Sequence, residues 1–334
     1  MDGQYRFLFG PVRSRRLGRS LGIDLVPFKV CTFDCPYCQV GATVNKTLHR
    51  GEYVPVAEVL AEFDHWLAHD GQADSLTLAG AGEPTLHSRF GDVLREIGGR
   101  CSIRRVLLSN GSLFHVPEVR KAALYSDVVK ATLGAWDSRS FEAVHHPCAG
   151  LAFDVFLEGL KAMRKAFGGE YWLEVFLVAG INDADGDVER IARLAGEIGP
   201  DRIHLNTAVR PPHDRAIQPV SEERMRALAG RFTPVAEVIG GRADAPGDAP
   251  GFLGQGELND RLLALIRRHP CTAAEAASAL GVDVGLVTAA IESLVAGHAV
   301  RLEWRDGKPY LVAGGAAGGA RQKQPESKSA KRRH

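Results

Sequence analysis

Cys31, Cys35 and Cys38 stand within eight residues, CTFDCPYC (31–38), in a C-x3-C-x2-C spacing just after an apolar run at 21–26. Three thiolates this close can hold three corners of a cubane iron–sulfur cluster, which normally takes four. A missing fourth ligand leaves one iron open to chelate a substrate or cofactor. The competing chemistry is structural zinc, which wants four ligands in a closed site, usually in pairs. His49 is the candidate fourth zinc ligand, but no second C-x2-C follows. Cys101, Cys148 and Cys271 are isolated and suit the role of small apolar residues. A disulfide framework would spread its cysteines through a small secreted chain, so the cluster of three reads as a metal site.

The chain resembles the radical S-adenosylmethionine (SAM) superfamily, whose signature is this spacing with an aromatic residue, here Tyr37, before the last cysteine. The segments FGPVRSRRLGRSLG (9–22), YCQVG (37–41), GEPT (82–85), SNG (109–111), WLEVFLVAGIND (172–183) and LNTAVRPP (205–212) are similar to a bacterial and archaeal branch related to wyosine-base tRNA-modifying synthases. The similarity runs over about residues 5–240, and a winged-helix end is also seen in that branch. The resemblance implies a [4Fe-4S] cluster on Cys31, Cys35 and Cys38, with SAM chelating the open iron. It implies one-electron cleavage of SAM to methionine and a 5′-deoxyadenosyl radical, which takes hydrogen from a substrate. A flavodoxin- or ferredoxin-like protein would supply the electron. The cofactors carry the hard step, and the protein positions them and excludes water. The tRNA-modifying relatives hold a second cluster on further N-terminal cysteines, and no cysteine precedes Cys31 here.

Beside the cysteines, strand-end residues read as cofactor contacts. AGAGEP (79–84) supplies Gly80 and Gly82, which let backbone approach a ligand, and Glu83, which suits the SAM ammonium. Ser109 and Asn110 could bond its polar parts, though Asn-Gly is also a common turn. Lys130 and Thr132 share one strand face. A barrel lysine needs a partner: the SAM carboxylate is one choice, and Glu174 is the internal one. Glu174, Asn182, Asp183, Asn206 and Arg210 could shape the adenine or the substrate pocket. Arg210 before two prolines suits an anion clamp or a structural salt bridge. Arg13, Arg15 and Arg16, expected ahead of the first strand, could meet a phosphate-bearing substrate or form a solvated basic turn. His145 and His146 stand where the branch pattern has Asn-Arg, and read as surface or pocket lining.

These residues need a scaffold. Short apolar runs at 21–26, 75–79, 106–109, 127–133, 172–178 and 202–207 alternate with amphipathic stretches at 56–69, 90–97, 117–124, 151–167, 188–198 and 222–232. Strand-then-helix repetition means βαβ units and a parallel sheet. The expected fold is α/β, a partial (β/α)6 TIM-like barrel over 1–240 with its site at the C-terminal strand ends. A Gly/Pro/Asp-rich linker follows at 241–256. Residues 257–312 read as a winged-helix-like domain: helices at 258–268, 272–280 and 284–295, then strands at 299–304 and 309–312 around a turn. Thr272 with Glu275 forms a capping box. Residues 313–334 are a basic tail expected to be disordered.

Composition bounds the function classes. The chain has 334 residues, 45% hydrophobic and 24% charged, with a net charge of +1, the mix of a globular protein with a sizeable core. No apolar run reaches membrane-spanning length, and residues 1–20 lack a signal-peptide core, so a cytoplasmic location without membrane contact is expected. The tail carries six Lys/Arg against Glu326, leaving 35 basic and 39 acidic residues in 1–312. Nucleic-acid affinity must then come from a patch or the tail. The helix at 284–295 has no Lys or Arg, unlike a major-groove reader. It favours a substrate-docking or dimer-forming module over DNA binding. The main reading is a radical SAM enzyme of unidentified substrate. The alternatives are a tRNA-base-modifying enzyme, an activase of a partner protein reached through the C-terminal module, and an iron–sulfur-sensing nucleic-acid regulator.

Overall fold

The apolar runs between residues 8 and 238 assemble into one sheet, with helices in the intervals. The computed structural model describes residues 5–14, 16–239, 255–305 and 307–314. In chain order the first elements are β1 (Leu8–Ser14), β2 (Gly18–Ile23), β3 (Val30–Cys31), β4 (Asn45–Lys46), α1 (Val56–His69) and β5 (Ser75–Leu78). A 3-10 turn (Pro84–Leu86) leads to α2 (Phe90–Arg100), β6 (Arg104–Leu108), α3 (Pro117–Ala123), β7 (Val128–Thr132), α4 (Ser138–His145) and α5 (Phe153–Ala166). Then come β8 (Glu170–Leu177), α6 (Asp185–Ile198), β9 (Arg202–Thr207), α7 (Glu222–Ala229) and β10 (Glu237–Val238).

The sheet order is β1-β2-β5-β6-β7-β8-β9-β10. β1 pairs antiparallel with β2, and the other neighbours are parallel. The ends β1 and β10 are not joined, so the barrel is partial. β5 is buried along its whole length, because helices cover one face and the barrel interior fills the other. Leu17, Val106, Val128 and Trp172 form a small apolar cluster apart from the main core. Lys130 and Glu174, two residues on along β7 and β8, continue the same faces.

The strands expected at 21–26 and 106–109 begin earlier, at Gly18 and Arg104. β1 escaped the periodicity reading because Gly10, Pro11 and Arg13 interrupt it, and β10 because it is two residues long. Arg13 therefore lies within β1 and Arg16 in the following turn, not ahead of a first strand. Arg15 lies outside the described residues, and the Arg13 side chain is not described. α4 went unforeseen, although Asp137 and Ser140 form a capping box at its start, a signal readable in the sequence.

The C-terminal part comprises α8 (Gln255–Arg268), α9 (Ala273–Leu280), α10 (Val284–Ala296) and the antiparallel pair β11 (Val300–Arg305) and β12 (Lys308–Ala313). It has its own apolar core, with Leu262, Leu265, Val287 and Leu311 buried. The Thr272–Glu275 capping box is present. Most of the 241–256 linker and all but the first two residues of the 313–334 tail lie outside the described residues. The part does not hang free: Val12 of β1 packs on its core. Among the described residues no single helix is long and apolar enough to cross a membrane; α9 and α10 pass only as a pair bent by 117°.

Candidate active site

The cysteine loop leaves β2 at its C-terminal end. Cys31, Cys35 and Cys38 are free and half-buried. Lys29, buried and in the left-handed region at φ 55°, donates from Nζ to Cys38 Sγ at 3.1 Å. Asn110 Nδ2 lies 3.7 Å from Cys31 Sγ, and His145 Nδ1 lies 3.7 Å from Cys35 Sγ. The Tyr37 hydroxyl is hydrogen-bonded to His145 Nδ1 at 3.0 Å, and its ring stacks on Phe176 at 3.9 Å between centroids. Burial pushes the Cys31 thiol up to about 12, with Glu83 adding to the rise. Burial and the other two cysteines push Cys35 up as well. A cationic iron centre reverses that cost, since coordinated thiols deprotonate.

The donor set therefore fits an iron–sulfur cluster: three mutually influencing thiols and one adjacent ammonium. A closed zinc site would need a fourth ligand beside the three thiols, and no second cysteine pair follows them in the sequence.

The turn after β5 is stitched to this loop. Lys29 N donates to Ala81 O at 3.0 Å, and Glu83 N to Val30 O at 3.0 Å. A Cβ on Gly80 would collide with the Asp24 carboxylate, and one on Gly82 with the Val30 carbonyl. Packing against the loop and its base thus requires both glycines.

The Glu83 carboxylate accepts from Thr85 N and Oγ1, Ser109 Oγ and Asn110 N, at 2.6–3.1 Å. Burial raises its pKa against those donors. Three of these donors meet Oε1 and one meets Oε2, so the carboxylate braces the turn against Ser109 and Asn110. Asn110 turns its side chain to Thr32 and Cys31.

Deeper in the barrel, Glu174 Oε1 receives Lys130 Nζ at 2.7 Å and Arg16 Nη1 at 3.0 Å. Asn206 Nδ2 approaches the same oxygen at 3.4 Å. Lys130 has thus taken its internal partner. Burial pulls its pKa down to about 8 even with Glu174 beside it. Burial opposes the Glu174 charge, but Lys130 and Arg16 hold its carboxyl well below the usual range. Burial, Arg16 and Lys130 push His204 down to about 3, so its ring stays neutral.

Two expected pocket residues are structural. Asn182 is fully buried, donating to the Gly134 and Phe176 carbonyls while its Oδ1 accepts from Val178 N, so it clasps the strand ends. Asp183 accepts from Gly180 N. Arg210 pairs with Glu275 of α9 at 3.6 Å, so it faces the C-terminal part instead of acting as a free anion clamp. Thr132 is partly buried at the end of β7, in register with Glu174.

Lys29 and Asp24 carry no motif of their own in the sequence, and of the two readings open for His145, surface or pocket lining, the structure favours the buried one. A lysine two positions before Cys31 was the available signal for the first. His145 is fully buried against Phe33, and burial holds its pKa down at about 3. His146 takes the left-handed cap of α4.

A family model for the radical SAM superfamily matches residues 25–195. The chain is 32% identical over 270 residues to a UPF0026 protein of Methanocaldococcus jannaschii, covering 78% of this chain and 82% of that protein. It is 34% identical over 273 residues to a UPF0026 protein of Helicobacter pylori, covering 80% and 86%. A protein of Brachyspira hyodysenteriae named GTPase Obg is 32% identical over 298 residues; the match covers 89% of this chain but 43% of that protein, so the chain spans less than half that relative's length. Among solved structures, TYW1 with a lysine-pyruvate adduct bound aligns at a TM-score of 0.50 and 16% identity, covering 65% of this chain and 74% of that one; this is a likeness of fold.

Proposed function

The chain belongs to the radical SAM superfamily, and from that membership we propose that it is an enzyme holding a [4Fe-4S] cluster on Cys31, Cys35 and Cys38. When bound, the cluster and SAM supply a 5′-deoxyadenosyl radical that removes hydrogen from the substrate. The chain's own residues set the stage. Lys29 places a positive charge 3.1 Å from Cys38 Sγ, favouring the thiolate. Tyr37, His145 and Phe176 wall off the Cys35 side, which excludes water. Glu83 ties the turn after β5 to Ser109 and Asn110, so that the strand ends around SAM keep one geometry. Thr132, Glu174, Asn206 and Arg16 form the wall below, available to a substrate.

The observation that carries this reading is the stitching of the cysteine loop to the 79–84 turn and to Asn110. Three separate strand ends are held together around one set of thiols. The C-terminal part has the helix order and hairpin of a winged helix. Its exposed Trp304 and Leu302 and the absence of Lys or Arg from α10 favour a role in substrate or partner capture. The partner proposed there is a protein or an RNA, the latter with help from the basic tail; a flavodoxin- or ferredoxin-like donor would supply the electron. A cytoplasmic location goes with this chemistry, because reducing compartments keep thiols free.

The test is anaerobic iron and sulfide analysis of the reconstituted full chain. Wild type and Cys101→Ala should bind about four irons per chain, and Cys35→Ala should lose them. A folded, colourless protein carrying zinc on the same cysteines contradicts the reading.

A further inference from the structure

Asp24 stands at the exit of β2 and is 5% exposed. Its Oδ2 accepts from Ala81 N at 3.2 Å and from Arg268 Nε at 2.8 Å. Arg268 is the last residue of α8, 244 positions away in sequence. It also lies over the Phe9 ring at 5.0 Å and reaches the Arg6 carbonyl at 3.4 Å. The Asp24 carboxylate fills the space a side chain on residue 80 would need. One ion pair therefore joins the C-terminal part to the back of the turn that meets the cysteine loop.

The attachment is two-sided. Beyond β9, the segment 208–217 grips the cysteine loop: His213 N donates to Cys38 O at 2.8 Å and Asp214 N to Pro36 O at 3.0 Å. The C-terminal part holds that segment in turn. Tyr310 donates to Val209 O at 3.3 Å, Arg305 Nη2 to Ile217 O at 3.2 Å, and Arg210 and Arg215 pair with Glu275 and Glu303. Helices and hairpin thus span from the β1–β2 side of the partial barrel to the β9 side.

We propose that Arg268 is a positioning residue for the cofactor-binding turn, and that the C-terminal part is a strap across the open side of the barrel. The Arg268–Asp24 pair fixes residues 80–83 against the cysteine loop. This rests on the reading of that turn as part of the SAM site. A buried carboxylate without its guanidinium would protonate or withdraw, and burial already pushes the Asp24 pKa up while Arg268 opposes it. Protonation weakens the acceptor for Ala81 N and withdrawal displaces it, and both loosen the turn. Charge compensation, rather than bulk packing, is what Arg268 supplies.

The experiment compares full-length wild type, Arg268→Met, Arg268→Lys and the Asp24→Asn/Arg268→Met double variant, all anaerobically reconstituted. Iron per chain, SAM affinity from calorimetric titration and hydrogen exchange of the Ala81 amide are measured. Arg268→Met should weaken SAM binding by about tenfold, the loss of one charge-assisted hydrogen bond, and speed Ala81 exchange several-fold, with iron at the wild-type level. Arg268→Lys should recover part of both, and the double variant most of both, because it leaves no buried unpaired charge. The double variant also decides the matter if Arg268→Met folds poorly. Wild-type SAM affinity and Ala81 exchange in Arg268→Met would overturn the proposal, as would a double variant no better than the single. Exchange at Ala81 is read without SAM, so a wild type that binds no SAM would defeat the function proposed for the turn while leaving this test intact.

Discussion

The barrel and the C-terminal part bury different things. Every buried polar or charged side chain among the described residues lies before residue 208: Asp24, Lys29, Glu83, Lys130, His145 and Asn182 among them. Among the described residues from 255 onward the buried side chains are apolar apart from Cys271 and Tyr310, whose hydroxyl reaches the barrel, and three of the ion pairs there cross to the barrel. A buried polar group costs about 1–3 kcal/mol if left without a partner. Some of these groups, Lys29 and His145, lie directly against the cysteine sulfurs. The C-terminal core needs only to hold a shape, and its polar residues serve docking.

That contrast can be broken at both ends. The largest effect should come from Glu174→Gln. It leaves Lys130 and Arg16 as two neighbouring cations with no carboxylate between them, and breaking such a buried pair costs about 3–5 kcal/mol. Chemical denaturation should show this loss; a loss below about 1 kcal/mol would place the network with ordinary surface pairs.

A smaller effect should follow acidification. His204, with its pKa pushed down to about 3, binds a proton in the unfolded chain from about pH 6.5 downward but not in the folded one. The unfolded state then holds more protons, so stability falls as pH drops from about 6.5 toward about 3. His204→Phe keeps the edge-on packing against Trp172 and removes this term. Its Tm should fall less than that of wild type between pH 6.5 and 4.5, and parallel Tm curves would count against a neutral buried ring.

The smallest effect belongs to the C-terminal part. Thr272→Ala removes one half of the capping box on α9, at about 1 kcal/mol. The change should appear in the unfolding of the C-terminal part and leave iron content alone. Iron loss in this variant would mean that the two cores are less separate than their composition indicates.

Much of this was legible in the sequence. The cysteine spacing, the parallel α/β order and the helix–helix–helix–hairpin sequence of the C-terminal part follow from local periodicity and caps. α1 runs over Val56–His69 and β9 over Arg202–Thr207, matching the expected 56–69 and 202–207. The roles of individual polar residues were less legible, because they depend on partners far away in sequence. Glu83 is occupied by Ser109 and Asn110, Arg210 by Glu275, and Asn182 by the Gly134 and Phe176 carbonyls. Asp24 and Arg268 are individually unremarkable residues, and only folding brings them to 2.8 Å. The Gly/Pro/Asp-rich stretch at 241–256 reads as a linker, and the ion pairs across the boundary show why a linker's composition does not decide whether the parts it joins are docked.

The central claim is that Cys31, Cys35 and Cys38, with the strand ends stitched to them, would hold a cluster that, once reduced, supplies the electron for SAM cleavage. The direct measurement is mass-spectrometric detection of 5′-deoxyadenosine from dithionite-reduced, reconstituted full chain incubated with SAM. The account predicts slow, time-dependent 5′-deoxyadenosine with wild type even without substrate, and none with Cys35→Ala. Wild-type protein that carries its irons, binds SAM and yields no 5′-deoxyadenosine above the Cys35→Ala background would contradict it.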